Sequence, residues 1–271
     1  MALQVSHIPA IKKMVAQFSE VSAFLKIRSN GLRFAEIKTV GKGLKHFQKN
    51  RWIGLEDTIH RMILNFDALV QVYLFVDKPF PFYGQKQILM QYRILFQNMS
   101  YVSRAAQNPR PDSCECIRLI YLLREKLLDD AGLYEEDGTC ALESSLIHPD
   151  VKEVRRELLA GLDSRIFSRY DDCENANLVL ELAMFLNPLY KKLSIMESTL
   201  ARYWHNKCDR RERFELVKNR IFETAKKLYE LISEPSDENV MVNLLSRMDM
   251  NASRSGGAHG AKTSTRVRVR I

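Results

Sequence analysis

RWIGLEDTIHRMILNFDALVQVY, residues 51–73, is the stretch that decides the fold class. Its apolar residues recur at steps of three and four, which is the spacing of one face of an α-helix and not the alternation of a strand. These residues are Trp52, Leu55, Ile59, Met62, Ile63, Phe66, Leu69, Val70 and Tyr73. The pattern predicts one long amphipathic helix that ends at the Pro79-Phe80-Pro81 segment, because proline cannot continue it.

The same spacing recurs along most of the chain. The predicted helices, besides the one from residue 51, cover residues 8–28, about 84–107, 113–132, 149–162, 178–185, 211–232 and 237–248. Gly31 is interpreted as the end of the first helix, Ser113 as an N-cap, Gly132 as the end of the helix that Ser113 begins, and Pro149 as an N1 residue. Glycine and proline are few, at 11 and 8 of 271 residues. The predicted fold class is therefore all-α, a multi-helix bundle.

The predicted elements fall into four ranges. Residues 1–132 form an N-terminal helical subdomain, and residues 133–148, which are acidic and mixed, form a connection. Residues 149–248 form a C-terminal helical subdomain. Residues 249–271 combine serine, glycine and arginine without a core-forming apolar cluster, which predicts a disordered basic tail.

Both ends of the chain are basic. The formal net charge is +8, residues 1–50 hold nine Lys/Arg against two acids, and residues 247–271 hold six against one. Clustered cations gain affinity for nucleic acid by releasing its counterions. The charge distribution therefore suggests a polyanionic partner such as nucleic acid.

Composition also predicts where the chain resides. No apolar run approaches the roughly 20 residues of a membrane span, and the first residues lack the apolar block of a signal peptide. The five cysteines are odd in number and irregularly spaced, which is typical of reduced thiols. We expect an intracellular protein, nuclear or cytoplasmic, that is not secreted and has no membrane partner.

No catalytic motif is present in the sequence. It contains no glycine-rich phosphate loop, HExxH, paired CxxC or nucleophile elbow, so no catalytic residue and no cofactor are predicted. Cys114 and Cys116 could combine with Cys140 or His148 as metal ligands, but a C-x-C within apolar helical sequence favours buried thiols. No metal site is predicted.

The candidate binding residues are Lys45, Lys49, Arg51 and Trp52, where a basic connection meets a helix. The cations could hold phosphates while the Trp52 ring stacks on an unpaired base. The alternative is that Trp52 anchors the core beside solvated charges.

Two blocks of sequence resemble the hAT superfamily of transposases. The first contains "IKKMVAQFSEVSAFLKIRSN" (11–30) and "NRWIGLEDTIHRMILNFDAL" (50–69), similar to the family's helix and Arg-Trp block after its CxxH motif. The second, "VRRELLAGLDSRIFSRYDDCENANLVLELAMFLNPLYKKLSIM" (154–196), resembles the family's later A-x-x-LDPRYK-x-L segment. Its matching residues are Ala183, Leu186, Asn187, Pro188, Leu189, Tyr190, Lys191 and Leu193.

The resemblance implies a truncated, degenerate copy of the helical domain inserted into the nuclease core. The first two acids of the family's DDE triad are expected upstream of Met1, and the third should follow the helix at 211–232, where the tail does not match. Two-metal phosphoryl transfer needs those carboxylates. A DNA-binding protein that is not an enzyme by itself is therefore expected, with DNA, a protein or a related transposase as partner. A protein-interaction scaffold and a transposon remnant without function remain open, as does the oligomeric state.

Overall fold

The computed structural model describes residues 8–38, 44, 52–108 and 112–233, with only the backbone for residues 52 and 53. Over these residues the chain is predominantly helical, so the all-α prediction is confirmed, with a small two-stranded hairpin in addition. The chain divides into two compact units, residues 1–222 and 223–271.

The described elements are α1 (Pro9–Lys26), α2 (Arg28–Ile37), α3 (Trp52–Leu64), α4 (Phe66–Phe75), α5 (Lys86–Ala106), α6 (Ser113–Leu128), β1 (Gly132–Tyr134), β2 (Cys140–Glu143), α7 (Pro149–Arg165), α8 (Val179–Leu186), α9 (Ser194–Tyr203) and α10 (Arg210–Ser233), with 3-10 turns at Ser144–Leu146 and Phe167–Asp172.

The first predicted helix ends earlier than expected and a second follows at once. Helix α1 ends at Lys26, Ile27 is extended, and α2 begins at Arg28. The interpretation of Gly31 as a helix end is wrong, because Gly31 lies inside α2. The apolar face of α1 is buried as predicted, and Phe24 stacks on Tyr73 of α4 with ring centroids 3.9 Å apart.

The long helix predicted from residue 51 is two helices. Asn65 leaves helical geometry at φ −105° and ψ 11°, between α3 and α4. Its side-chain amide donates to the carbonyl of Arg61 at 2.8 Å, and its backbone N–H donates to the same carbonyl at 3.1 Å. Asparagine in mid-helix competes in this way for backbone acceptors. The single-helix prediction is therefore wrong, although the predicted apolar residues from Leu55 to Tyr73 are buried, except for the partly exposed Ile63 and Val70.

Helix α5 agrees with its prediction, and α6 differs from its prediction at both ends. The N-cap of α6 is Asp112 and not Ser113, since the Asp112 carboxylate accepts from the N–H of Cys114 at 2.9 Å. The helix ends at Leu128, so Gly132 does not end it. Gly132 instead begins β1, where a Cβ would lie 2.5 Å from the carbonyl oxygen of Leu142 on the paired strand. Only glycine permits this close approach of the two strands.

Apart from Gly132, the hairpin of β1 and β2 lies within the range predicted as an acidic connection. The buried Arg155 of α7 donates to the carbonyls of Asp129 and Gly132 at 3.0 and 3.1 Å and pairs with Asp130 at 2.5 Å. The base of the hairpin is thereby tied to α7, which begins with Pro149 at N1 as predicted. The division into subdomains at residues 133–148 stays a prediction.

The segment that carries the later resemblance is a turn between α8 and α9. The side chain of Asn187 accepts from the N–H of Leu189 at 3.0 Å, and the N–H of Leu193 donates to the carbonyl of Tyr190 at 2.8 Å. Leu193 has a positive φ of 53° and is buried, so packing holds the chain in this left-handed conformation. Helix α9, which no sequence pattern predicted, follows directly.

The last described helix, α10, agrees with the predicted helix over 211–232. The short helix predicted over 237–248 and the disordered tail over 249–271 lie outside the described residues. Within the described ranges, no helix combines the length and the apolar character that crossing a membrane requires.

Candidate nucleic-acid interface

The residues predicted to bind DNA lie at the edge of what the structure describes. Lys45, Lys49 and Arg51 fall outside the described residues, and Trp52 is the first residue of α3 with only its backbone described. Their grouping into one site stays a prediction. Leu44, which directly precedes Lys45, is described and lies at the corner between α1 and α2.

A groove of about 450 Å³ opens at this corner. We call it the α1–α2 groove, and it is lined by Ser22, Leu25, Lys26, Gly31, Phe34, Ala35, Lys38 and Leu44. Leu44 immediately precedes Lys45, so the groove adjoins the basic connection along the chain. Its floor is apolar and its charged residues are Lys26 at the end of α1 and Lys38 at the end of α2.

Asn30 and Gly31 build the corner. The buried side chain of Asn30 donates from Nδ2 to the carbonyl of Phe24 at 3.2 Å, which satisfies one of the last carbonyls of α1. A Cβ on residue 31 would lie 2.7 Å from the carbonyl oxygen of Leu25. Glycine therefore lets the first turn of α2 approach the end of α1 closely enough to form the groove.

Helix α2 is held from its other side by α4. The guanidinium carbon of Arg33 lies 3.2 Å from the centre of the Phe75 ring. A cation over an aromatic face contributes about 0.5–1 kcal/mol at an exposed site. This contact positions α2 while its groove-lining face, with Phe34 and Lys38, remains directed toward α1.

The charge of the groove distinguishes it from others on the described surface. Residues 8–38 hold six Lys/Arg and two Glu, and neither Glu20 nor Glu36 lines the groove. Three other grooves each combine cations with carboxylates: Arg118 and Lys126 with Glu136 and Asp137, Lys152, Arg155 and Arg156 with Asp130 and Glu153, and Arg210 and Arg211 with Glu197 and Glu215. A polyanion would meet repulsion at each of those three, but no acidic lining residue in the described part of the α1–α2 groove.

Lys26 also has a structural role. It lies in the last turn of α1, where a cation interacts favourably with the helix dipole. That interaction is worth about 0.3–1 kcal/mol at an exposed position. Because the side chain is exposed, the ammonium group can serve the helix end and still contact a phosphate.

A separate cluster of polar side chains lies in the core, where a ligand cannot reach it. The Glu181 carboxylate accepts from Tyr170 Oη at 2.5 Å and from the Arg169 guanidinium, and Tyr170 Oη also lies 2.5 Å from Tyr121 Oη. Burial raises the pKa of both tyrosines well above the ordinary value. The side chains of Glu181, Tyr121 and Tyr170 are all buried. Tyr121 belongs to α6, Tyr170 to the 3-10 turn after α7 and Glu181 to α8, so the cluster connects these three elements. We assign it a stabilising role.

The cysteines discounted as metal ligands are spread over several elements. Cys114 is buried in the first turn of α6, and burial raises the pKa of the neighbouring Cys116. Cys140 and Cys208 are exposed on β2 and before α10. Within the described ranges, His, Cys, Asp and Glu side chains form no group of three or more that could hold a metal ion.

Sequence analysis did not select Lys26 or Lys38. Both lysines belong to the N-terminal part that charge counting identified as basic. Because Gly31 was interpreted as a helix end, however, α2 was not predicted, and so neither was the groove that α2 forms with α1. The useful signal was the Asn30-Gly31 pair, because a glycine inside a helix also permits close approach to a neighbouring backbone. Comparisons with protein-family models, curated proteins and solved structures found no match to this chain.

Proposed function

We propose that this chain is a transposase-derived helical protein that binds the phosphate backbone of DNA and does not cleave the DNA. The observation that carries the proposal is the α1–α2 groove, whose described lining residues include two lysines and no acid and which adjoins the basic connection. The resemblance of residues 11–69 and 154–196 to hAT transposases supports the same function.

The chemistry of the groove favours phosphates over base edges. Lysine ammonium groups act as compact point charges and lack the planar fork with which arginine reads guanine. Contacts of this kind position a duplex without reading its sequence. Binding should therefore vary little with sequence and weaken steeply with salt.

The test is the salt dependence of affinity for a short labelled duplex, measured by fluorescence anisotropy. Replacing Lys26 and Lys38 together by Gln should lower the slope of log Kd against log salt by about two, since each phosphate contact contributes about 0.9. The matched control replaces Lys12 and Lys13, exposed at the other end of α1, and removes the same charge. Equal slopes for the two double variants would contradict a binding role for the groove.

The absence of cleavage rests on the resemblance alone, in which none of the matching residues corresponds to the family's acidic triad. Incubated with duplex DNA and Mg²⁺ or Mn²⁺, the chain should leave the substrate intact. Metal-dependent cleavage that copurifies with the protein and is lost on mutation would contradict this part of the proposal.

An apolar patch favours a second candidate, a scaffold for protein partners. Val179 and Leu180 of α8 and the neighbouring Leu186 and Leu189 are exposed, with Leu189 at 84%. Clustered exposed apolar side chains mark interaction sites. A scaffold would show little DNA affinity and no salt slope, so the same titration separates the two functions.

A further inference from the structure

Two cysteines that are distant in sequence contact the same arginine. Cys173 directly follows the 3-10 turn Phe167–Asp172, and Cys208 lies between α9 and α10. The Arg213 guanidinium of α10 donates from Nη1 to the sulfur of Cys173 at 3.9 Å. The hydrogen bonds of Arg213 to Cys208 and to Cys173 raise the pKa of its guanidinium. Both thiols therefore lie at one planar group.

A second set of contacts holds the two backbone segments together. Asp171, two residues before Cys173, accepts from Tyr203 Oη at 3.0 Å. The same carboxylate pairs at 3.4 Å with Nζ of Lys207, the residue before Cys208. The proximity of the two cysteines therefore does not depend on one long side chain alone.

The two thiols differ in their access to solvent. Cys208 is exposed, whereas Cys173 is only 1% exposed. A cysteine that is exposed and next to a cation has the surroundings typical of reactive thiols. An oxidant in solution reaches Cys208 first, and the buried Cys173 is protected from it. Redox-active pairs divide the work in this way: an accessible thiol is oxidised and a neighbouring thiol resolves it.

The local structure leaves room for a bond between the two sulfurs. A disulfide requires Cα atoms that are about 4.4–6.8 Å apart. Cys173 lies in the turn that precedes α8, and Cys208 lies in the bend that precedes α10, so both are outside the α-helices. Both segments can therefore adjust to that spacing without breaking a helix.

We propose that Cys173 and Cys208 form a reversible disulfide when the chain meets hydrogen peroxide. The Cys208 thiolate attacks one peroxide oxygen: an S–O bond forms, the O–O bond breaks, and hydroxide leaves and takes up the proton that the thiol has lost. The Cys173 sulfur then attacks the Cys208 sulfur: the S–S bond forms, the S–O bond breaks, and the oxygen leaves as water with the Cys173 proton. Two thiols and one peroxide thus give one disulfide and two waters. The proposal does not depend on DNA binding or on transposase descent.

Peptide mapping of the full chain tests the proposal. The reduced protein is treated with one equivalent of hydrogen peroxide, the remaining thiols are blocked with iodoacetamide, and tryptic peptides are identified by mass spectrometry. Trypsin places the two cysteines on separate peptides, residues 170–191 and 208–210. We expect these two peptides to be joined in the main oxidation product and to separate again after treatment with dithiothreitol.

Single variants separate the roles of the two thiols. Cys208→Ser should leave Cys173 reduced, because the oxidant does not reach it. Cys173→Ser should leave Cys208 as a sulfenic acid, which dimedone traps. The matched control Cys140→Ser removes another exposed thiol and should not change the yield of joined peptides. The melting temperature before oxidation shows whether each variant is folded.

Isotope mixing distinguishes a bond within one chain from a bond between chains. When labelled and unlabelled protein are oxidised together, the joined peptides should be either entirely labelled or entirely unlabelled. Mixed pairs would overturn the proposal, because a second copy would then supply the partner thiol. Oxidation of Cys208 in the wild type without joined peptides, or its joining to Cys140 instead of Cys173, would overturn it as well.

Discussion

Gly31 and the carbonyl oxygen of Leu25 approach so closely that a Cβ on residue 31 would lie 2.7 Å from that oxygen. The atom in the way belongs to the backbone, so no side-chain rotation can relieve the clash. The crossing of α1 and α2, and with it the shape of the α1–α2 groove, therefore depends on the absence of a side chain at this position.

Gly31→Ala should destabilise the protein although alanine is the better helix former. The gain in helix propensity is about 1 kcal/mol, whereas forcing extra volume into a packed crossing costs about 1–3 kcal/mol. We expect a lower free energy of unfolding in urea titrations. Glu36→Ala, at an exposed position of the same helix, should change it by less than about 0.5 kcal/mol. A stabilised Gly31→Ala variant would show that α2 can move away from α1 at little cost.

The buried cluster around Glu181 gives a second prediction. Glu181→Leu removes the fully buried carboxylate that pairs with the Arg169 guanidinium, whose side chain is 28% exposed. Because water reaches the remaining charge, we expect a loss of about 1–3 kcal/mol, below the cost for a fully buried pair. The measurement is the free energy of unfolding in denaturant.

A second substitution separates the charge from the packing at this site. Adding Arg169→Met to Glu181→Leu should recover much of the lost stability, because no unpaired charge then remains. If the double variant is less stable than Glu181→Leu alone, the hydrogen bond that Arg169 donates to Tyr170 Oη at 3.0 Å matters more than the charge of Arg169.

The ion pair at the start of α6 predicts a pH dependence. The Arg118 guanidinium, 2.6 Å from Glu115, lowers the pKa of that carboxyl below 4.5. A carboxyl whose folded-state pKa is depressed stabilises the fold above its unfolded value and loses that contribution as pH falls through the folded value. The wild type should therefore exceed Glu115→Gln in melting temperature at pH 7, and the difference should shrink below about pH 4.5. A constant difference across pH 3–7 would assign the effect to packing.

The sequence predicts elements well where one side of a helix faces the core along its whole length. Helices α5 and α7 agree with their predicted positions for this reason, whereas α10 agrees although its buried residues, Phe214, Val217 and Ile221, all lie in its first half. The break at Asn65 was missed because apolar spacing continues through it, while the cause is a side-chain bond to the Arg61 carbonyl. The hairpin was missed because its strands are three and four residues long, too short for an alternating pattern.

The candidate interface was predictable only as a region. Counting charges locates the basic N-terminal part, but a groove requires knowledge of how α1 and α2 cross. That crossing depends on Asn30 bonding to the Phe24 carbonyl and on Gly31 fitting against Leu25, and both contacts form across the bend between the two helices. Periodicity contains no information about either contact.

Trp52 begins α3, and a single substitution there separates its two interpretations. If the ring stacks on an unpaired base, Trp52→Ala should leave the melting temperature nearly unchanged and weaken binding to a duplex with a single-stranded end by about 1–3 kcal/mol. Arg51→Ala should instead weaken binding to every duplex and reduce the salt slope, because a phosphate contact does not depend on sequence. We expect this pattern, measured by anisotropy and thermal unfolding on the same samples.

The opposite pattern would assign Trp52 to the core. Leu55 and Ile59, one and two turns further along α3, are both buried. A ring packed with them would make Trp52→Ala lose about 3–5 kcal/mol of stability. Blunt duplexes provide the internal control, since stacking on an unpaired base requires a free end and phosphate contacts do not. Equal loss of affinity for blunt and frayed duplexes, together with a lower melting temperature, would remove Trp52 from the interface and leave DNA binding to the lysines of the α1–α2 groove and the basic connection.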